Sequence, residues 1–298
     1  MADAAQQRLL VFGGTGMLGR AVAAEGRRRG LAVLALGRGQ ADVRDRDALV
    51  GWARDFRPTC VVNCAAFTQV DTCETETETA HAINADAVAH VVAAADAVEA
   101  RLLHVSTDYV FDGRGPDGRS GHRHDRAAGY VEDAATAPAS AYGRSKLGGE
   151  AHARAYPRGL TVRTSWLFGP NGPNFVATMR RLMREGRVPL RVVDDQVGRP
   201  TYTPYLARAL WDLASRPEIV DVIHYGNRPV ASWCEFTREI AAIVRPATEV
   251  VPVATSAFPR PAPRPAYSAL AVDRIEHALG RRVETWQAGL LDYLTSTD

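Results

Sequence analysis

The chain is poor in cysteine, has no long apolar run, and carries charges that nearly cancel. Each shortage removes a class of protein. The four cysteines, Cys60, Cys64, Cys73 and Cys234, show no CxxC spacing. That is too little for a disulfide framework or a cysteine zinc site, and it fits a reducing cytoplasm. No apolar stretch approaches the roughly 18 residues that a spanning helix needs, and the opening MADAAQQR lacks a signal-peptide core. A cytoplasmic protein with no membrane partner is therefore expected. The 36 basic and 34 acidic residues are spread along the sequence. Phosphate backbones need a concentrated positive face, so no nucleic-acid partner is expected. The densest basic run, EGRRRG, reads as the solvated end of a helix, where cations suit the dipole.

What is present is an apolar share of 46 % over 298 residues, enough for one large domain or two interleaved ones. Short apolar runs read as buried strands at 8–14, 31–37, 60–66 and 101–107, separated by helical stretches from Met17 to about Arg29 and over 79–100. The alternation continues with strands at 160–166, 189–193 and 222–226 and helices at 174–185 and 203–215. This is the pattern of an α/β fold with a doubly wound parallel sheet. The last third changes character. An amphipathic helix at 232–244 precedes the proline-rich VPVATSAFPRPAPRPAYS, read as an ordered loop across a domain boundary rather than a polyproline ligand. The expected division is a dinucleotide-binding domain over 1–165 plus 190–230, and a smaller α/β substrate domain over 166–189 plus 231–298. The segment 114–136 reads as a long polar loop, and its His122 and His124 lack the further ligands that a metal would need. No metal site is expected.

Gly13, Gly16 and Gly19 stand as GxxGxxG between the first strand and the first helix. One glycine permits the tight turn, one admits a pyrophosphate to the backbone, and one allows close helix packing. The free N–H groups at Met17 and Leu18 and the helix dipole then favour phosphate. The second strand ends in Gly37-Arg38, where NAD-binding sites carry an acid. A guanidinium there suits a 2′-phosphate, so NADPH is the expected cofactor, with NADH the alternative. Asp42 and Val43 follow closely enough to edge the adenine.

Two further stretches carry chemistry. HVSTDYVFDG (104–113) ends a strand in Ser106, Thr107, Asp108 and Tyr109. AYGRSKLGGE (141–150) places Tyr142 and Lys146 at i, i+4, one above the other on a helix. A lysine ammonium one turn away favours the phenolate and draws its pKa down from about 10, while Thr107 holds a carbonyl beside the phenol. Such a set reduces a ketone: Tyr142 gives the proton as hydride reaches carbon.

With VVNCAAFTQVD, STDYVFDG, YGRSKLGGE, RTSWLFG, NFVATM, VVDDQVGRPT, SWCEF and RPAYSAL in order, most of the chain resembles the extended short-chain dehydrogenase/reductases, and within them the dTDP-4-dehydrorhamnose reductase family. The resemblance implies reduction of the 4-keto group of a dTDP-linked 6-deoxyhexulose. It makes Thr107, Tyr142 and Lys146 catalytic. It sets Ala65, Ala66, Thr68 and Ser106 against the cofactor, and Asp108, Tyr109 and Trp166 against the sugar, with Trp166 covering the ring. Asn174 and Arg264 go to the nucleotide diphosphate. The chain departs from the family in the length of 114–136 and in APASAYG before the tyrosine. Three alternatives stay open: a reductase of another nucleotide sugar, a ring-contracting relative, and a non-catalytic NADP-binding regulatory subunit. Monomer and homodimer stay open too. Asp194 and Asp195 are read as a strand end and turn.

Overall fold

The computed structural model describes residues 7–116 and 129–296. His122 and His124, with much of the 114–136 loop, lie outside the described residues.

Six parallel strands form the central sheet: β1 (Arg8–Phe12), β2 (Ala32–Leu36), β3 (Cys60–Asn63), β4 (Arg101–Thr107), β5 (Gly159–Thr164) and β6 (Asp221–His224), in the order β6-β5-β4-β3-β1-β2. β1 is apolar at four successive positions because helices cover both faces of the sheet. Leu9 and Val11 point into one core, Leu10 and Phe12 into the other. On the first face lie α1 (Met17–Arg28) and α6 (Thr203–Ala214), where the Trp211 indole donates to the Val22 carbonyl at 3.2 Å. On the second lie α2 (Arg46–Phe56), α3 and α4 (Ala141–Ala155). α3 is a continuous helix of Thr77–His81, a π-helical turn Ala82–Asp86 and Ala87–Asp96.

The remainder crosses the carboxyl ends of the strands. It holds α5 (Phe175–Arg184), α7 (Trp233–Val244), α8 (Asp273–Leu279) and α9 (Trp286–Thr295), with three small ladders. Leu167–Phe168 pairs with Thr201–Tyr202, Val197–Gly198 with Ala231–Ser232, and Leu190–Val193 with Val250–Val253. The last pairing corrects the sequence reading. The 189–193 strand does not extend the central sheet, and 190–198 sits with the C-terminal part, because its partners come after residue 230. The proline-rich segment is tied down along its length: Val250–Val253 is a strand, and Tyr267 and Ser268 bond to Gly113 and Val197 through their backbones. Asp194 accepts from the Ser232 hydroxyl, and Asp195 from the amide and hydroxyl of Thr255, which makes both structural.

Candidate active site

The strand order reverses direction between β1 and β3, which opens a crevice at their carboxyl ends. The glycine turn fills its floor. Gly13 has φ +74, and a Cβ on it would lie 2.5 Å from the Ala65 amide nitrogen, so only glycine fits. Gly16 is the N-cap of α1 and brings no side-chain cap, and the first turn holds no acid. Gly19 packs directly on the Gly13 carbonyl. The amides of Met17 and Leu18 are thus left for an anion at a positive helix end.

Arg38 stands at the end of β2 with its side chain 77 % exposed, its nearest acid being Asp42 at 3.9 Å. Asp42 is engaged by Arg44 instead, at 2.6 Å, and those hydrogen bonds hold its pKa down at about 2. Val43 is buried. On the opposite wall Ala65, Ala66 and the exposed Thr68 follow β3. The Asn63 side chain accepts from the Ala65 amide at 3.1 Å.

The reacting groups lie on β4 and α4. Thr107 ends β4; its hydroxyl donates to Asp108 Oδ1 at 3.0 Å and accepts from the Tyr109 amide at 3.3 Å. Ser140 caps α4, accepting from the Gly143 amide at 3.1 Å, and Glu74 accepts from the Ala141 amide at 2.8 Å. So the unusual APASAYG stretch still provides a sound helix start for Tyr142. The Tyr109 ring meets Tyr142 edge-on, with centroids 5.5 Å apart. Lys146 is 2 % exposed and donates to the Val105 carbonyl at 2.8 Å. Burial lowers its pKa to about 8, against the pull of Glu150 and Cys64.

The phenol differs from expectation. Burial pushes Tyr142 above its ordinary value, the Thr107 hydrogen bond opposes, and Asp108 and Tyr109 push the same way as burial. The Lys146 ammonium, one helical turn on, is held at the Val105 carbonyl. Tyr142 is therefore a neutral phenol at working pH, the form a proton donor needs. Asp108 is 3 % exposed and has a pKa raised to about 6 by burial, offset by hydrogen bonding from Ser268 and Thr107. It braces Thr107 rather than lying open to a sugar.

Two other expected residues are committed elsewhere. Ser106 donates to Glu150 at 2.6 Å, within a buried Glu150–Arg163 ion pair of 2.7 Å, so it does not face the cofactor. Asn174 is the N-cap of α5, and its amide nitrogen is taken up by Gly169, Gly172 and Tyr293. That leaves it no donor for a diphosphate. Arg264 pairs with Asp71 at 2.8 Å. Trp166, just past β5, stacks on Trp233.

Sequence reasoning missed Asn84. It is 1 % exposed on the π turn of α3, accepts from the Phe67 amide at 2.8 Å, and donates to the Phe67 carbonyl at 3.0 Å and to Ser145 at 3.0 Å. It thereby ties the cofactor-wall loop to the catalytic helix. A polar residue within an Ala-rich helix was its only signal. Among the described residues no group of three or more His, Cys, Asp or Glu gathers as for a metal, and no helix is long and apolar enough to cross a membrane.

The family model described as RmlD substrate binding domain matches residues 7–298. The dTDP-4-dehydrorhamnose reductase of Mycolicibacterium smegmatis is 39 % identical over 97 % of this chain and 86 % of that protein. A probable dTDP-4,6-dihydroxy-2-methyloxan-3-one 4-ketoreductase of Streptomyces antibioticus is 38 % identical over 95 % of this chain and 93 % of its own length. The crystal structure of the Bacillus anthracis dTDP-4-dehydrorhamnose reductase in complex with NADP superposes with a TM-score of 0.89 at 32 % identity, covering 98 % of this chain and all of that one. The chain belongs to the RmlD substrate-binding family of dTDP-4-dehydrorhamnose reductases, within the extended short-chain dehydrogenase/reductases.

Proposed function

We propose that the protein reduces the 4-keto group of a dTDP-linked 4-keto-6-deoxyhexose with NADPH, as a dTDP-4-dehydrorhamnose reductase. The observation that carries this reading is the half-buried Tyr142 phenol beside the buried Thr107 and Lys146, at the carboxyl end of the sheet and across the crevice from an uncapped glycine turn.

The residues fit the cofactor. The amides of Met17 and Leu18 receive its pyrophosphate, and the exposed Arg38 guanidinium its 2′-phosphate. Asp42 and Val43 edge the adenine, and Ala65, Ala66 and Thr68 line the other wall. When bound, NADPH supplies a hydride to the ketone carbon. Tyr142 Oη gives its proton to the ketone oxygen, and Thr107, braced by Asp108, holds that oxygen in place. Lys146 reaches the nicotinamide ribose from the Val105 carbonyl and, while charged, stabilises the phenolate that Tyr142 becomes. Tyr109 packs on Tyr142 and limits its swing. Arg264 is drawn between Asp71 and the diphosphate.

The Streptomyces antibioticus relative, named for a different dTDP sugar, favours a second reading: a 4-ketoreductase of another dTDP-deoxysugar. One experiment separates the two. NADPH oxidation is followed with dTDP-4-keto-6-deoxy-L-mannose, and the product is identified by NMR. A product of dTDP-L-rhamnose supports the first reading, and a different sugar, or no turnover of this one alone among dTDP-ketosugars, supports the second. Inhibition by dTDP should exceed that by UDP or GDP under both. Equal inhibition by all three would move the substrate to another nucleotide class.

A further inference from the structure

Trp166 occupies left-handed backbone at φ +47, strained for a bulky side chain and retained only where the surroundings over-determine it. The surroundings do so here. Its carbonyl accepts from the Thr201 amide at 3.1 Å. Its indole lies flat on the Trp233 indole, with centroids 3.5 Å apart and planes 4° from parallel. Trp233 is itself held, donating to Gln196 at 3.2 Å, with the Phe175 ring 4.5 Å from it, while Gln196 donates to Thr255 at 3.0 Å.

Gly198 closes the other side. A Cβ on Gly198 would fall 2.5, 2.7 and 2.8 Å from Cε2, Nε1 and Cζ2 of Trp166. Near-equal distances to three bonded ring atoms place it over the ring's face, not beyond its edge. The space on the Trp233 side is filled, so Gly198 lies on the opposite face. One ladder delivers both jaws: Gly198 pairs with Ala231, and Trp233 follows directly after Ser232.

We infer that the Val197–Gly198/Ala231–Ser232 ladder is a clamp on Trp166, so that the indole offers a sugar its Nε1–H edge and not its flat face. This rests on the functional reading above and revises the expectation, drawn from the family resemblance, that Trp166 covers the ring. Among the described residues that N–H has no hydrogen-bond acceptor. A hydroxyl or carbonyl oxygen of the nucleotide sugar is the acceptor it fits. Trp233 and Gly198 act through Trp166 and are positioning residues; they have no contact with the sugar of their own to lose.

The test uses the full-length enzyme and four variants. Two stacked indoles give a far-ultraviolet exciton couplet in circular dichroism, which the wild type should show. G198A should lose the couplet and keep its NADPH affinity. Its kcat/KM for the nucleotide sugar should fall about tenfold, mostly in KM, as for one hydrogen bond lost. W166F should fall as far, since it keeps an aromatic face but no N–H. W233F, which still offers a flat surface, should stay within about threefold of wild type, while W233L should match G198A.

Wild-type kcat/KM in W166F would overturn the edge contact, and equal kinetics in W233F and W233L would overturn the clamp. If G198A does not fold, the W233F and W233L pair decides. If the wild type turns over no nucleotide sugar, the functional reading fails on its own. The couplet still judges the clamp: present in wild type and lost in G198A supports it, and absence from the wild type contradicts it.

Discussion

The two halves of the crevice are built by different means. The cofactor side is made largely of backbone: a glycine turn, a helix end and a strand end, all fixed to six paired strands, with Arg38 added at its rim. The substrate side is made of side chains drawn from scattered pieces of chain: Trp166, Gly198, Trp233 and Arg264 come from four segments joined by two-residue ladders and ion pairs. A backbone cradle leaves a local signature in sequence, because each glycine is dictated by its immediate neighbours. A side-chain site leaves little, because a residue's role is decided by what distant segments bring beside it.

The substitution with the largest expected effect tests the groups where the two halves meet. Tyr142→Phe should lower kcat by about 10²-fold or more in steady-state assays, because general acid catalysis contributes that much. NADPH affinity, measured by fluorescence titration, should stay near wild type. Weakening of NADPH to the same extent would place Tyr142 in the cofactor half.

Gly13→Ala strikes the cofactor half alone. Its φ of +74 and the 2.5 Å approach of Ala65 leave no room for a methyl group. NADPH binding measured by calorimetry should weaken by more than about tenfold, on the order of 1–3 kcal/mol for such strain. Unchanged binding would show that the turn does not cradle the cofactor.

Arg38→Ala sharpens the same half. It should weaken NADPH by roughly tenfold and NADH hardly at all, since one exposed charge-assisted contact to the 2′-phosphate is removed. Equal loss for both cofactors would give Arg38 another role.

The smallest effect concerns Asp108. Its carboxyl, ordinarily near 3.8, is raised to about 6 by burial. The native state therefore favours the protonated acid. That stability is fully present below about 3.8 and is lost as pH rises to about 6. Asp108→Asn should thus raise the thermal midpoint at pH 7 by a few degrees and leave it nearly unchanged at pH 3.5, while lowering kcat. The same gain at both pH values would mean that burial of the charge is not what Asp108 costs the fold.

The legibility of the sequence follows this division. β1, the glycine turn, α1 and the Tyr142–Lys146 spacing were readable because each rests on neighbours within a few residues. The 189–193 strand was misplaced because an apolar run of that length says nothing about its partner, and Val250–Val253 lies sixty residues on. Ser106 and Asn174 looked like ligand contacts by position, yet Glu150 and three groups around the α5 cap claim them. Asn84 escaped notice because its importance comes from a π turn that brings it to Phe67 and Ser145. The spacing of Tyr142 and Lys146 could be read from the sequence, but the burial that pushes the phenol's pKa up and the Val105 carbonyl that holds the ammonium come from tertiary packing.

The most direct test of the account compares wild type and Tyr142→Phe, each loaded with NADPH, in a single turnover of dTDP-4-keto-6-deoxy-L-mannose. The account predicts rapid NADPH oxidation by the wild type and a rate about 10²-fold or more slower in the variant at equal cofactor occupancy. Equal rates in the two proteins would contradict it, because the proton would then come from a group other than the one on which the site is centred.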